Sequence, residues 1–340
     1  MACPQGWGNV RQVGFVKISV IIPVYDAEPY VPEAVRSALA QPETAEVILV
    51  EDGSTDASLA QCQTLVKTDP RVRLLQHPDG KNLGVSASRN LGIVNAGGDY
   101  IAFLDADDFY LPYRFAAAKD VFRHDESAEG VYEAIGTHFE SQAAERVWNE
   151  MKGPLLTTIR AGISPERLFE EQSPIGSAGH CSLDGLTVRS KVFRKTGLFD
   201  TELAMGEDTA FFIKLASCAR LLPGRLEQPV AMRRVHGNNT LTRSRSTNER
   251  WQHRQAVWHT VYRWLRNHGC AHSMRNRIIS KMLWECQSMV SPDLRQFQCL
   301  LVTCWRYLQI LRREPSFIAE RAFTVGAVRH LRNCLTGQRC

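Results

Sequence analysis

The sequence predicts an α/β protein: a mostly parallel sheet flanked by helices, followed by a helical C-terminal segment. Three observations carry that prediction. Four apolar, β-branched runs alternate with amphipathic stretches between residues 18 and 104. The connections between them are short, and a β-α-β alternation of this kind demands parallel pairing, because each helix carries the chain back to the start of the next strand. Beyond Thr247 the pattern is almost wholly helical, with Trp251, Trp258, Trp264, Trp284 and Trp305 spread through it.

Ile18-Ser-Val-Ile-Ile-Pro-Val is a continuous apolar run, as expected of a strand buried on both faces. Pro29 to Ala40 reads as a helix. Val31, Ala34, Val35, Ala38 and Leu39 recur at helical spacing, and Pro32 is tolerated in the first turn. Val47-Ile-Leu-Val is a second strand, ending in Glu51-Asp-Gly-Ser-Thr-Asp, which combines turn and capping residues. Ala57 to Lys67 is the next helix, Val72-Arg-Leu-Leu a third strand, Gly84 to Ala96 a third helix, and Tyr100-Ile-Ala-Phe-Leu a fourth strand. From Gly130 the pattern loosens. Leu186-Thr-Val and Val230-Ala-Met are strand candidates, and Asp208 to Ala219 reads as a helix.

Of the 340 residues, 44% are apolar and 23% charged, which is ordinary for a globular chain of one large domain or two. The net charge of +5 conceals a split. From Leu241 onward there are 17 Arg plus Lys against 5 Asp plus Glu, a net of +12, which leaves the first 240 residues at −7. The longest stretch without a charged residue is 12 residues, Gln172 to Leu183, against the roughly 20 that a spanning helix needs. The N-terminal residues hold no apolar core of the secretory kind. Ten Cys show no CxxC pair and no zinc spacing, which favours free thiols. A cytoplasmic location is expected, with a peripheral position on the cytoplasmic face of a membrane as a variant of it.

In such sheets ligands bind at the carboxyl ends of the strands. Three acidic clusters fall there: Tyr25-Asp26, Glu51-Asp52-Gly53, and Asp105-Ala-Asp-Asp108. Carboxylates held together repel unless a cation or a proton intervenes. Mg²⁺ or Mn²⁺ takes oxygen ligands and bridges to phosphates. Each cluster taken alone also reads as a solvated turn that caps the next helix.

Together these segments resemble the family 2 glycosyltransferases, which have the GT-A fold. The matching residues are Ile18 to Asp26, Val50-Glu-Asp-Gly-Ser-Thr-Asp56, Asn82-Leu-Gly-Val-Ser-Ala-Ser-Arg-Asn-Leu-Gly92, Gly97-Gly-Asp-Tyr-Ile-Ala-Phe-Leu-Asp-Ala-Asp-Asp108 and Gly206-Glu-Asp208. The likeness is strong from residue 18 to about 115, fair to about 240 and absent after that. Two departures are mild: Asp26 stands where the family usually has Asn, and Ser88 where it usually has Ala.

The resemblance implies a nucleotide-sugar donor, most often UDP-linked, and transfer with inversion at the anomeric carbon. Pro23, Val24 and Tyr25 would line the base pocket, with Asp26 and Glu28 on the same donor side. Asp52 would bind the uracil ring. Asp105 would assist at the ribose or through water, Ala106 would lie on the donor side, and Asp107 would contact a diphosphate-bound Mn²⁺ or Mg²⁺. Arg89 would support the nucleotide site. Asp208, the Asp of the family's ED pair, would take the proton of the acceptor hydroxyl. Read alone, Glu207 and Asp208 also suit a helix N-terminus. His236 matches a family His near the metal or diphosphate, and also reads as a surface His in a turn. Arg233, Arg234 and Arg243 are candidates for phosphate contacts or for a solvated basic loop.

The acceptor pocket is expected from Gly153 to Met205, with His180, Asp184 and Glu207 as candidates, although each also fits a local structural role. The chain divides on this reading into an N-terminal extension (1–16), a nucleotide-sugar-binding half (17–130), an acceptor and catalytic-base half (131–245) and a basic helical segment (246–340). The acceptor is a growing polysaccharide, a lipid-linked glycan or a protein. The basic segment either meets an anionic membrane surface or packs its Trp inward and solvates its Arg. No motif points to nucleic acid. Two rival functions weigh less. A sugar nucleotidyltransferase wants a Gly-rich basic loop after the first strand, and Pro23-Val-Tyr-Asp-Ala-Glu28 has neither. A non-catalytic nucleotide-binding scaffold predicts damage at Asp107 or Asp208, and both are present.

Overall fold

The computed structural model describes residues 16–237, 239, 246–288 and 296–336. Most of the expected N-terminal extension lies outside the described residues, and so does Arg243. The first seven elements follow the predicted order: β1 (Ile18–Val24), α1 (Val31–Leu39), β2 (Thr44–Glu51), α2 (Ser58–Thr68), β3 (Val72–Gln76), α3 (Val85–Asn95) and β4 (Tyr100–Phe103).

β1 sits between β2 and β4 and pairs with both in parallel. Its alternation sorts the core. Ile21 joins Ile101 and Phe103 in one apolar cluster, while Val20, Ile22 and Val24 join Ala102 and Leu104 in the cluster on the opposite face. Pro23 is placed where it costs little. Pairing with β4 stops at Ile21, so Pro23 faces β2 alone.

The middle of the chain holds β5 (Phe109–Tyr110), α4 (Ala116–His124), β6 (Gly130–Tyr132), β7 (Ile135–Phe139), α5 (Gln142–Glu150), β8 (Leu156–Thr157), α6 (Leu168–Glu171), β9 (Leu186–Arg189), α7 (Phe193–Thr196), α8 (Glu207–Cys218), β10 (Leu221–Pro223) and β11 (Ala231–Val235). The main sheet runs β10-β6-β9-β4-β1-β2-β3, with β9 antiparallel to both neighbours. In a second sheet, β5-β11-β7-β8, the strand expected at Val230-Ala-Met is β11, whereas β5, β7 and β8 are two to five residues long and carry too little periodicity to be read from sequence.

Arg114 fixes the junction between the two sheets. It is fully buried, pairs with Glu133 at 2.9 Å and donates to the carbonyls of Asp184 and Leu186. Its guanidinium also lies over the Tyr110 and Phe115 rings.

The C-terminal segment is helical as expected: α9 (Thr247–Asn267), α10 (His272–Ser288), α11 (Gln296–Arg313) and α12 (Arg321–Thr336). A capping box of Ser246 and Glu249 starts α9. Trp251 and Trp258 are buried, and the Trp258 indole N–H donates to Glu285 at 2.8 Å. Trp284 and Trp305 are exposed. Inward packing therefore describes Trp251 and Trp258, whereas Trp284 and Trp305 stay at the surface. The inward face of these helices belongs to the same apolar cluster as Ile21 and Phe103.

Candidate active site

The acidic clusters do converge at the carboxyl edge of the sheet, and the geometry separates their roles. After β1 the chain turns through Asp26, which adopts φ 46°, a conformation Asp and Asn tolerate better than other side chains. The Asp26 carboxylate accepts from the Thr55 backbone N–H at 2.7 Å, and its own N–H donates to Ser54 Oγ. The Glu28 N–H donates to the Asp56 carboxylate at 3.0 Å, and the Glu28 carboxylate accepts from the Ala57 N–H at 3.3 Å. The loops after β1 and β2 are thus laced together beside Tyr25, whose ring is half exposed.

Asp52 is buried, and both of its oxygens are engaged. They accept from the N–H groups of Leu83 at 2.7 Å and Gly84 at 3.0 Å, which begin α3. A carboxylate at that helix N-terminus also complements its dipole. Asp52 accordingly anchors α3, a role that the expected contact with uracil did not include. Gly53 next to it takes φ 72°, and a Cβ there would come within 2.7 Å of the Gly80 carbonyl. Only glycine fits that turn.

α3 delivers Arg89 into the centre of the edge. Arg89 is buried, donates to Asp105 at 2.8 Å and to Glu207 at 2.8 Å, and lies over the Phe199 ring. Burial opposes its charge, but the Asp105 and Glu207 carboxylates hold its pKa above the usual arginine value. Glu207 is raised by burial, against the pull of Arg89.

The Asp105-Ala-Asp-Asp108 turn points its carboxylates two ways. Asp105, Asp108 and Asp184 bring oxygens within 4.8 Å of one another. Asp184 was expected on the acceptor side. It is instead buried here, accepts from the Asp105 N–H, and takes the Ser182 hydroxyl. Burial first, then Asp105, pushes the Asp184 carboxyl up. Burial first, then Asp184, pushes Asp108 well above the usual carboxylate range. Three oxygens so placed suit a hard divalent cation.

Asp107 faces the other way. Its Oδ2 lies 3.1 Å from His236 Nε2 and accepts from Asn239 at 3.1 Å. His236 is packed against the Tyr30 ring at 4.7 Å. The oxygen of Asp107 and the nitrogen of His236 are a second donor set that fits a divalent cation. Ala106 is buried in the turn between the two sets.

Arg234 corrects one expectation. It is buried, donates to Asp108, to the Asp107 carbonyl, to Glu33 at 2.5 Å and to Glu140, and lies over Tyr30 and Phe109. It ties β11 to the acidic turn, and its guanidinium is committed. Arg233 donates to Thr157 and lies over Trp148. His180 is exposed, within electrostatic reach of Arg233 and Asp208.

Asp208 is the second residue of α8, with Gly206 at the N-cap in a left-handed conformation, φ 78°. One oxygen of Asp208 accepts from the Thr209 N–H at 2.6 Å and from its hydroxyl. The other is uncommitted among the described residues. Asn239 and Tyr30 were not foreseen. Asn239 lies three residues after His236, and that spacing is the signal that could have found it.

Residues 19–160 match the model of glycosyl transferase family 2. The chain carries a family 2 glycosyltransferase domain. Among its relatives is a Haemophilus influenzae protein called an uncharacterized glycosyltransferase, 46% identical over 93 residues, which are 27% of this chain and 36% of that one. The Bacillus subtilis protein called uncharacterized glycosyltransferase EpsJ is 29% identical over 196 residues, 57% of this chain and 54% of that one. The match thus spans about a third to a half of those relatives. The structure of S. aureus TarS 1-349 superposes with a TM-score of 0.62 at 18% identity, covering 95% of this chain and 90% of that one. The likeness in fold to that structure therefore extends well past residues 19–160.

Proposed function

We propose that this domain transfers a sugar from a nucleotide-sugar donor to an acceptor hydroxyl, with inversion at the anomeric carbon. One observation carries the reading. Arg89 joins the acidic turn after β4 to the acidic start of α8, so donor-side and acceptor-side carboxylates share one edge of the sheet. A single displacement needs both sets. A base takes the hydroxyl proton on one side of the sugar, while the nucleoside diphosphate leaves on the other.

Asp208 is the base in this reading, acting through the oxygen that Thr209 leaves open. Pro23, Val24, Tyr25 and the laced loops beyond them form the nucleoside side, and Asp52 keeps α3 in register with it. Asp107 and His236 would hold Mn²⁺ or Mg²⁺ at the diphosphate. A bound divalent cation supplies charge stabilisation for the leaving phosphate. Arg89 holds Asp105 and Glu207 in place. His180 stands on the acceptor side.

S. aureus TarS has been solved in complex with UDP-GlcNAc, which makes a UDP-linked sugar the first donor to test. Incubation with a panel of nucleotide sugars, with and without Mn²⁺, should release the nucleoside diphosphate from one of them. No release from any donor would overturn the reading. Release that neither chelation nor Asp107→Ala changes would remove the metal from it.

A further inference from the structure

We propose that the outward faces of α11 and α12 form a docking surface for an anionic lipid bilayer. On α11, Leu301, Trp305 and Leu308 stand at i, i+4 and i+7 and are 53%, 53% and 65% exposed. Arg312 continues the stripe one turn later. On α12, Val325 and Val328 are exposed, with Arg321 and Arg329 exposed around them. These residues are not needed by the core. The opposite faces of the two helices already bury Tyr307, Ile310 and Phe323. The helices pack on each other, with the exposed Ile318 in the segment that links them.

Charge identifies the occupant. Between residues 296 and 336 the acidic residues are Glu314 and Glu320, and both turn inward. Glu314 pairs with Arg263 and Arg266, and Glu320 accepts from the Tyr262 hydroxyl. Arg312, Arg321 and Arg329 form no ion pair among the described residues. Among the described residues of the two helices, the outward surface is therefore apolar and cationic, without a compensating carboxylate. A second copy of the chain would bring the same arginines against it, since a two-fold contact is self-complementary. Lipid phosphates complement it. Trp favours the headgroup level, and Arg reaches phosphates while its stem lies along apolar surface. No described helix is long and apolar enough to cross a membrane, so the contact lies in the interface plane. This inference goes beyond the transferase reading and does not rest on it.

The test is co-sedimentation of the full chain with vesicles of phosphatidylglycerol and phosphatidylcholine, against vesicles of phosphatidylcholine alone. Binding should require the anionic lipid and weaken at high salt. The double variant Arg312→Gln/Arg329→Gln should bind roughly 30-fold more weakly. Trp305→Glu/Leu308→Glu should abolish binding, with an unchanged melting temperature because both side chains are exposed. Release of nucleoside diphosphate in solution should be unaffected by either pair. Failure of the wild-type chain to bind anionic vesicles would overturn the proposal, as would binding by both double variants as tight as that of the wild-type chain. So would a concentration-dependent dimer that Trp305→Glu/Leu308→Glu converts to monomer, which would show that a second copy covers the face.

Discussion

Arg89 and Glu207 meet at 2.8 Å although 118 residues of chain separate them. The contact closes the gap between the helix that follows the third strand and the helix whose first turn holds the proposed base. Because Arg89 is buried, its removal leaves Glu207 without a counter-charge in a poorly solvated place. Arg89→Met should cost about 3 kcal/mol in chemical denaturation. Arg89→Lys should recover little of it, because one ammonium cannot hold two carboxylates in the fixed geometry of a guanidinium. Stability equal to wild type in both variants would remove Arg89 from this role.

Asp208→Asn keeps the shape and the bond from Thr209 but loses the basic oxygen. Transfer should fall by about 100-fold or more. Nucleotide affinity, read by calorimetry, should hold. Transfer at the wild-type rate would place the base elsewhere.

Gly206 sets the angle at which α8 begins. A Cβ at this position would lie 2.6 Å from Val257 Cγ2 on α9. Gly206→Ala should destabilise through both the φ and the clash, by roughly 2 kcal/mol. Val257→Ala in the same chain should return part of that loss. A double-mutant cycle measures the coupling, expected at about 1 kcal/mol. Zero coupling would show that the loop yields instead.

His259 is buried on α9, and burial first, then Arg313 and Arg263, pulls its pKa down to about 4 from 6.5, with Glu314 opposing. The unfolded chain binds the proton more readily, so stability present above pH 6.5 is lost as pH falls toward 4. The loss is at most about 3 kcal/mol. Denaturation of His259→Leu over that window should show a flatter pH dependence than wild type. Parallel curves would assign the acid sensitivity to other groups.

The parallel half of the fold was legible because its central strands, β1 and β4, are buried on both faces. Ile18 to Val24 reads as one uninterrupted apolar run, and the capping and turn residues after each strand repeat the same message. Of the second sheet, only β11 was legible. Phe109–Tyr110 and Leu156–Thr157 are too short to carry a period, and what holds them is pairing with distant strands. At the site, sequence spacing located the acidic turns but not the direction of each carboxylate. Asp105 and Asp107 are two residues apart and serve different neighbours, Arg89 for one and His236 for the other. Asp184 joined the first group only through a buried turn held by Arg114. No local pattern encodes that contact.

The anchoring of α3 by Asp52 has a mechanical consequence. About one and a half turns separate Gly84 from Arg89, and a helix that short behaves as a rigid strut. Its foot is clamped by Asp52 in the loop after β2, and its shoulder carries both the turn after β4 and the start of α8. A displacement at the foot is thereby transmitted to both at once. Substitutions that adapt such a domain to a new acceptor have more freedom in the loops away from the strut, where a change of shape leaves this alignment undisturbed.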